Sequence, residues 1–217
     1  MKSLVKKEFS LAIPPLTYVF LAFALMSFIP GYPILCGAFF TCLGIFQGYL
    51  SAREAGDIYF SLMLPVRKKD IVRAKYISVM ILEGISLLLM CVFTFIRMTY
   101  LSSSPVYLTN VMMAANPLFI AFALMVYALF NAVFLGGYFR TGYNLGKPFV
   151  IFAVTAFLVI ALGEALHHFP GLGHLNEPGW EGSKDLLWCA AAALAVYLAV
   201  SLLSMRISEK RFALLDL

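Results

Sequence analysis

The sequence predicts an all-α membrane protein with six transmembrane helices, and two observations carry this prediction. Of the 217 residues, 62% are hydrophobic and only 12% are charged, whereas roughly 25% of the residues in a soluble domain are charged. The charged residues also lie between apolar runs that are long enough to cross a bilayer. We expect helices because lipid offers no hydrogen-bond partner to an exposed backbone.

The first ten residues predict a short amphipathic helix at the membrane surface. Apolar and charged side chains alternate there in the pattern of a helix that lies among lipid headgroups. The apolar residues are Leu4, Val5 and Phe9, and the charged residues are Lys2, Lys6, Lys7 and Glu8.

Residues 9–52 carry no charge, and this stretch of 44 residues is too long for one span of about 20. Pro30-Gly31-Tyr32-Pro33 has the composition of a tight turn. The sequence therefore predicts two spans, at about 11–29 and 33–50, joined by a short hairpin.

Small residues recur on one face of the second span, at Gly37, Thr41, Gly44 and Gly48. Such a face allows another helix to approach closely. We expect it to contribute to packing between two copies of the chain.

The linker after the second span is the longest polar segment of the sequence. Ser51 and Glu54 have the spacing of a capping box and predict a short helix that runs through Phe60. Pro65 favours the start of a new helix, which leads into a third span at about 76–95. Its basic residues are Arg67, Lys68, Lys69, Arg73 and Lys75.

The second half of the chain predicts three further spans. Proline and glycine residues mark the loops between them. The spans lie at about 117–138, 148–166 and 186–205.

The distribution of positive charge predicts that both termini are cytoplasmic. With the N-terminus inside, fourteen of the sixteen lysines and arginines lie on the cytoplasmic side, and the exceptions are Arg97 and Lys184. Because these cations flank apolar runs instead of covering a soluble face, we expect no nucleic-acid partner.

Three polar residues within the apolar spans are candidates for a substrate path. Glu83 lies deep in the third span, where an ionisable side chain is costly and often functional. Its structural alternative is a carboxyl bonded to Ser78, Ser86 or Asn131. Asn131 and Gln47 are also candidates, although the sequence favours a role in helix packing for both.

The sequence predicts neither an enzyme nor a cofactor in this chain. Residues 142–148 are one residue short of a nucleotide-binding loop and carry Pro148 in place of its hydroxyl. Glu164, His167 and His168 have a spacing that could present metal ligands, but a helix end in contact with water accounts for them, and we expect no metal site.

The inner linker resembles a known family. Residues 64–76, which begin Leu-Pro-Val-Arg-Lys-Lys-Asp-Ile-Val and end with Lys75 and Tyr76, are similar to the linker between the second and third helices of short ABC-2 type permeases. The two ends of the chain are also similar. Leu62 and Met63 replace the Ser or Thr often found before the motif, and its first basic residue is slightly displaced.

The resemblance implies a homodimer in a bacterial cell membrane, bound to two copies of a cytoplasmic ATPase that binds ATP and Mg²⁺. The linker helix would then couple the two proteins by docking its apolar side in a groove. We expect Glu54 and Asp57 to pair with basic residues of the ATPase. The expected coupling residues are Glu54, Asp57, Ile58, Tyr59, Phe60, Leu62, Met63, Leu64, Pro65, Arg67 and Lys68.

The expected function is therefore the membrane subunit of an exporter for hydrophobic or amphipathic substrates. Related permeases export peptides, in bacitracin-type immunity systems and in the export of phenol-soluble modulins, which implies a role in antimicrobial resistance. Two alternatives stay open: a scaffold or sensor that moves no substrate, and an ion-coupled carrier.

Overall fold

The computed structural model describes residues 1–177, 179–180 and 183–215, and in these residues the regular structure is entirely helical. Positions 178, 181 and 182, in the loop expected before the last span, lie outside the described residues. The α-helices are α1 Lys2–Lys7, α2 Pro15–Leu21, α3 Cys36–Glu54, α4 Asp57–Met63, α5 Lys68–Ile96, α6 Pro105–Leu108, α7 Pro117–Leu129, α8 Gly136–Tyr138, α9 Gly146–Leu166 and α10 Ser183–Ala213.

Shorter helical segments extend several of these helices. The π-helical segments are Glu8–Ala12, Arg97–Leu101 and Phe130–Leu135, and the 3₁₀ segments are Ala22–Phe28 and Gly173–Asn176.

In the described residues, four helices are long and apolar enough to cross a membrane. They span Lys68–Leu101, Pro117–Tyr138, Gly146–Leu166 and Asp185–Ala213, and a bent N-terminal pair gives a fifth if it is one span. These helices establish an all-α, multi-pass architecture with four or five candidate spans.

The N-terminal region is bent within the span that the sequence predicts at about 11–29. Helical segments Lys2–Ala12 and Pro15–Phe28 meet at an angle of 92°. Ile13 and Pro14 between them have extended backbones, with ψ of 111° and 156°. Proline disfavours the helical conformation in the residue before it, so the Pro14-Pro15 pair accounts for the break.

Helix α7 lies at the centre of the bundle. In the span Pro117–Tyr138, which begins with α7, 72% of the most apolar stretch is buried, against 33% or less in the other three candidate spans. Phe119, Phe130 and Phe134 in and after α7 are fully buried, and Phe130 and Phe134 stack on each other. The outer helices α9 and α10 therefore have faces that meet lipid or another chain.

Contacts between distant segments define two ends of the bundle. At the end that we call the basic end, Lys7 meets Asp57, and Arg73 meets Glu209. At the opposite end, the backbone N–H of Gly31 donates to Asn110, and that of Met113 donates to Glu164. The segments that the charge pattern assigned to one side thus come together.

The glycines of α3 allow α2 to pack directly against it in the same chain. A Cβ atom on Gly44 would lie 2.4 Å from Cβ of Phe20, and one on Gly37 would lie 2.7 Å from the carbonyl oxygen of Phe23. Thr17 also donates a hydrogen bond of 2.9 Å to the carbonyl of Gly44. The small-residue face is therefore covered within this chain, and our assignment of it to an interface between copies was wrong.

We predict that Gly44→Ala destabilises the protein by about 1–3 kcal/mol, because the new methyl group forces α2 away from α3. The measurement is thermal unfolding in detergent. Gly84→Ala is the matched control, since a Cβ atom there meets nothing within 4 Å. Equal stability of the two variants would contradict the close packing of α2 on α3.

Candidate functional site

The linker helix α4 is short because the sequence limits it at both ends. Gly56 before it has φ of 66°, a left-handed conformation that separates α4 from α3 and that glycine adopts without strain. Leu64 after it is extended, with ψ of 150°, as expected for a residue that precedes a proline. Ser51 and Glu54 lie in the last turns of α3, so the expected helix start at Ser51 was wrong.

Helix α4 has one buried and one exposed face. Asp57, Ile58 and Ser61 are buried against the bundle. Tyr59, Phe60 and Met63 are 55%, 51% and 85% exposed, although all three are apolar or aromatic. We call these three residues the α4 ridge.

Below the ridge, four charged side chains form a buried cluster, which we call the ion cluster. It consists of Lys7, Glu8, Asp57 and Lys75. Lys75 Nζ donates to Glu8 Oε2 at 2.9 Å and to Asp57 Oδ2 at 2.6 Å. Lys7 Nζ lies 2.5 Å from Asp57 Oδ1 and 2.9 Å from Glu8 Oε1. Two cations and two anions make the cluster neutral.

The ion cluster connects three segments that are far apart in the sequence. Lys7 and Glu8 belong to the N-terminal helix, Asp57 begins α4, and Lys75 lies on α5. Lys7 Nζ also lies 2.8 Å from Ser61 Oγ of α4. Because the side chain of Lys75 is only 3% exposed, separating these segments would leave a buried charge without its partner.

Asp57 therefore does not face outward to a partner protein, as we had expected. Burial raises the pKa of its carboxyl, but the positive charge of Lys75 and the hydrogen bonds from Lys7 and Lys75 outweigh this effect. The pKa of Asp57 lies below its ordinary value. Asp57 is thus an ionised anchor for α4.

The other expected coupling residues surround the ridge. Glu54 and Pro65 are exposed, whereas Leu62 and Leu64 are half-buried. Arg67 is exposed and pairs with Asp70 at 2.9 Å. Lys68 Nζ donates to the carbonyl of Leu215 near the end of the chain.

A second ion pair at the basic end ties α5 to α10. Nε and Nη2 of Arg73 donate to the two carboxylate oxygens of Glu209 at 2.7 and 2.9 Å. This bidentate geometry is the strongest form of an arginine–carboxylate pair. The start of α5 therefore holds both α4 and the last turns of α10.

The structure brings Glu83 and Asn131 together in the centre of the bundle. Glu83 is 1% exposed, and its Oε2 atom accepts from Asn131 Nδ2 at 2.9 Å and from the Tyr197 hydroxyl at 2.7 Å. Asn131 Nδ2 also lies 3.0 Å from Ser201 Oγ. Gln47 is half-buried and forms no part of this network.

Sequence reasoning missed several residues of these two sites. Lys7, Glu8 and Lys75 were interpreted only as surface charges, and Tyr197 and Ser201 were not singled out. An available signal was the spacing on α10, where Tyr197, Ser201, Ser204 and Ser208 recur every three or four residues on one face.

Glu164 and His167 hold a loop in place at the opposite end. Glu164 accepts from the N–H of Met113 at 2.8 Å, and His167 Nε2 lies 2.9 Å from the carbonyl oxygen of Val111. Among the described residues, no three side chains of the metal-binding types come together. Glu164 and His167 thus pin the loop before α7.

These features define a multi-pass α-helical membrane protein with a polar interior and an exposed apolar ridge at its basic end. The family model for the ABC-2 family transporter protein matches residues 3–212. The chain belongs to this family, whose members form the membrane component of an ABC transporter and generally work with a cytoplasmic ATPase. No curated protein and no solved structure matches the chain.

We predict that Lys75→Met lowers the free energy of unfolding by about 3–5 kcal/mol, because two buried carboxylates lose their shared cation. The measurement is denaturation in detergent. Lys69→Met, at an exposed position on the same helix, is the matched control and should change stability by less than about 0.5 kcal/mol. Equal effects of the two substitutions would refute the role of Lys75.

The ion cluster also predicts a loss of stability in acid. A carboxylate with a lowered pKa stabilises the fold fully above its unfolded pKa of about 3.9, and this contribution disappears as the pH falls through the lower folded value. The stability difference between wild type and Asp57→Asn should therefore be constant above about pH 5 and shrink below it. A difference that does not vary down to pH 2 would contradict an ionised Asp57.

Proposed function

We propose that this chain is the membrane subunit of an ATP-driven exporter in a bacterial plasma membrane. The basic end faces the cytoplasm, with both termini, and the chain crosses the membrane six times with α3 as the second crossing. Two copies form a homodimer on two copies of the partner ATPase, which binds ATP and Mg²⁺. The chain itself has no catalytic role.

The observation that carries the proposal is the α4 ridge. Tyr59, Phe60 and Met63 stand on a short helix at the basic end and expose apolar surface. Positive charge surrounds them, and Arg67 and Lys69 beside the helix are both exposed. A helix with an apolar face fits a groove on a soluble protein, and a membrane subunit needs such a contact to receive force.

The ion cluster gives this contact a mechanical consequence. Force on α4 passes through Asp57 and Lys75 to α5, and through Lys7 to the N-terminal helix. The Arg73–Glu209 pair extends the connection to α10. ATP binding that draws the two α4 helices together would therefore shift whole helices of each copy, and hydrolysis would release them.

The substrates that we propose are hydrophobic or amphipathic peptides. Export of antimicrobial peptides of this kind would give the protein a role in antimicrobial resistance. The support is the resemblance of residues 64–76 to short ABC-2 type permeases, some relatives of which export peptides, together with the exposed apolar faces of the outer helices. Leu158 on α9 and Leu203 on α10 are 67% and 61% exposed. These faces provide surface for a second copy and for a path between copies.

Two other functions make different demands on the same protein. A scaffold or sensor would bind peptides without moving them. An ion-coupled carrier would transport without any nucleotide. Transport that requires ATP and the copurified ATPase separates the proposed exporter from both.

We predict that alanine at all three positions of the α4 ridge, Tyr59, Phe60 and Met63, reduces peptide export at least tenfold. The ridge is exposed, so the fold stays intact while the contact with the ATPase loses its apolar anchors. The measurement is ATP-dependent uptake of a dye-labelled amphipathic peptide into inside-out vesicles. Transport and ATPase activity are both recorded for the complex purified from its native membrane.

The matched control removes three exposed apolar side chains at the opposite end, by alanine at Tyr100, Val106 and Leu108. We expect these substitutions to leave ATPase binding unchanged. Normal coupling in the ridge variant, or equal loss in the control, would overturn the proposed docking surface.

A further inference from the structure

The pair formed by Glu83 and Asn131 has two oxygen atoms without hydrogen-bond partners. Glu83 is 1% and Asn131 is 0% exposed. Oε2 of Glu83 accepts two hydrogen bonds, whereas Oε1 accepts none, and Oδ1 of Asn131 is also without a partner. Buried polar atoms in proteins are almost always paired, so these two require an explanation.

A carboxylate at this position would also lack a compensating charge. In the described part of the chain, the titratable groups that face Glu83 are Cys42 on α3, Tyr76 on α5, Tyr127 on α7 and Tyr197 on α10. All are neutral in their usual forms, and no described salt bridge includes Glu83. An unpaired anion inside a bilayer costs several kcal/mol or more.

One proton resolves both difficulties. It removes the charge and turns Oε1 into a donor. Oδ1 of Asn131 is a buried acceptor that lacks a donor, and it belongs to the same residue that already donates to Oε2. A carboxylic acid and a primary amide are complementary in this way, since each presents one donor and one acceptor on the edge that faces the other.

We propose that Glu83 is a proton-binding site in the interior of the helix bundle. In the arrangement seen here, the carboxyl group holds one proton on Oε1 and donates it to Asn131 Oδ1, while Oε2 accepts from Asn131 Nδ2 and Tyr197. The proton comes from water and returns to water when the site opens, and no covalent bond other than O–H forms or breaks.

The surrounding hydroxyl groups indicate the side on which the site opens. Ser204 donates to the carbonyl of Asn131 at 2.8 Å, and the Tyr76 hydroxyl lies 2.9 Å from both Ser204 and Ser208. Ser204, Ser208 and Arg211 line a surface cleft of about 290 Å³ towards the basic end. Separation of α10 from α5 along this polar seam would bring water to Glu83.

The site therefore couples protonation to the packing of α10 on α5. A helix movement that hydrates Glu83 releases a proton, and closure of the bundle takes one up again. This inference depends on the contacts of Glu83 alone and holds whether or not the chain exports peptides.

The first test compares wild type with Glu83→Gln and Glu83→Ala by thermal unfolding between pH 5 and pH 8 in detergent. Glutamine reproduces the protonated acid, because its amide N–H₂ can donate to Asn131 Oδ1. We expect Glu83→Gln to match or exceed wild type, while Glu83→Ala is less stable than Glu83→Gln at every pH. Relative to Glu83→Gln, the unfolding constant of wild type should rise by up to tenfold for each pH unit, since only the unfolded chain loses the proton.

The second test uses infrared difference spectra of wild type and Tyr197→Phe, and it does not depend on the folding of a Glu83 variant. A protonated carboxyl should give a carbonyl band at pH 7 that shifts when the hydrogen bond from Tyr197 is removed. The proposal would be overturned if no carbonyl band of this kind shifts in Tyr197→Phe. It would also be overturned if Glu83→Gln destabilises the protein as much as Glu83→Ala does.

Discussion

The ion cluster is the constraint on which the basic end of the molecule depends. Four charged side chains from three distant segments neutralise one another, and three of them are buried. None of these segments can move alone without leaving a buried charge unpaired. The cluster explains why α4, a helix of only seven residues, keeps a fixed orientation. The polar anchor of α4, Asp57, lies on its buried side, so the exposed side needs no polar residue to hold the helix in place.

A second polar layer lies deeper, where the central helix departs from regular α geometry. Asn131 belongs to a π-helical segment, a feature that frequently marks functional sites. Its backbone carbonyl accepts from Tyr76 and Ser204, and its side chain meets Glu83. Helices α5 and α10 are thus joined by ions at the basic end and by neutral hydrogen bonds within the bundle.

Much of this architecture was predictable from the sequence, because hydropathy and charge act over whole segments. The span at 117–138 and the grouping of the basic segments at one end agree with the structure. The break at Pro14 places a sharp bend inside the span predicted at 11–29, and α3, in the region of the second predicted span, is not among the helices that are long and apolar enough to cross a membrane. Pairings such as that of Lys75 with Asp57 could not be predicted. One sequence gives the charge of a residue but not the face of the bundle on which its partner lies.

Native-state hydrogen exchange of the chain in lipid nanodiscs tests the central claim, that the ion cluster makes α4, the N-terminal helix and the start of α5 one mechanical unit. The account predicts that the amides of residues 2–12, 57–63 and 68–79 open together, and that Lys75→Met increases exchange in all three segments. Increased exchange confined to the neighbourhood of residue 75, with α4 and the N-terminal helix as protected as in wild type, would contradict it.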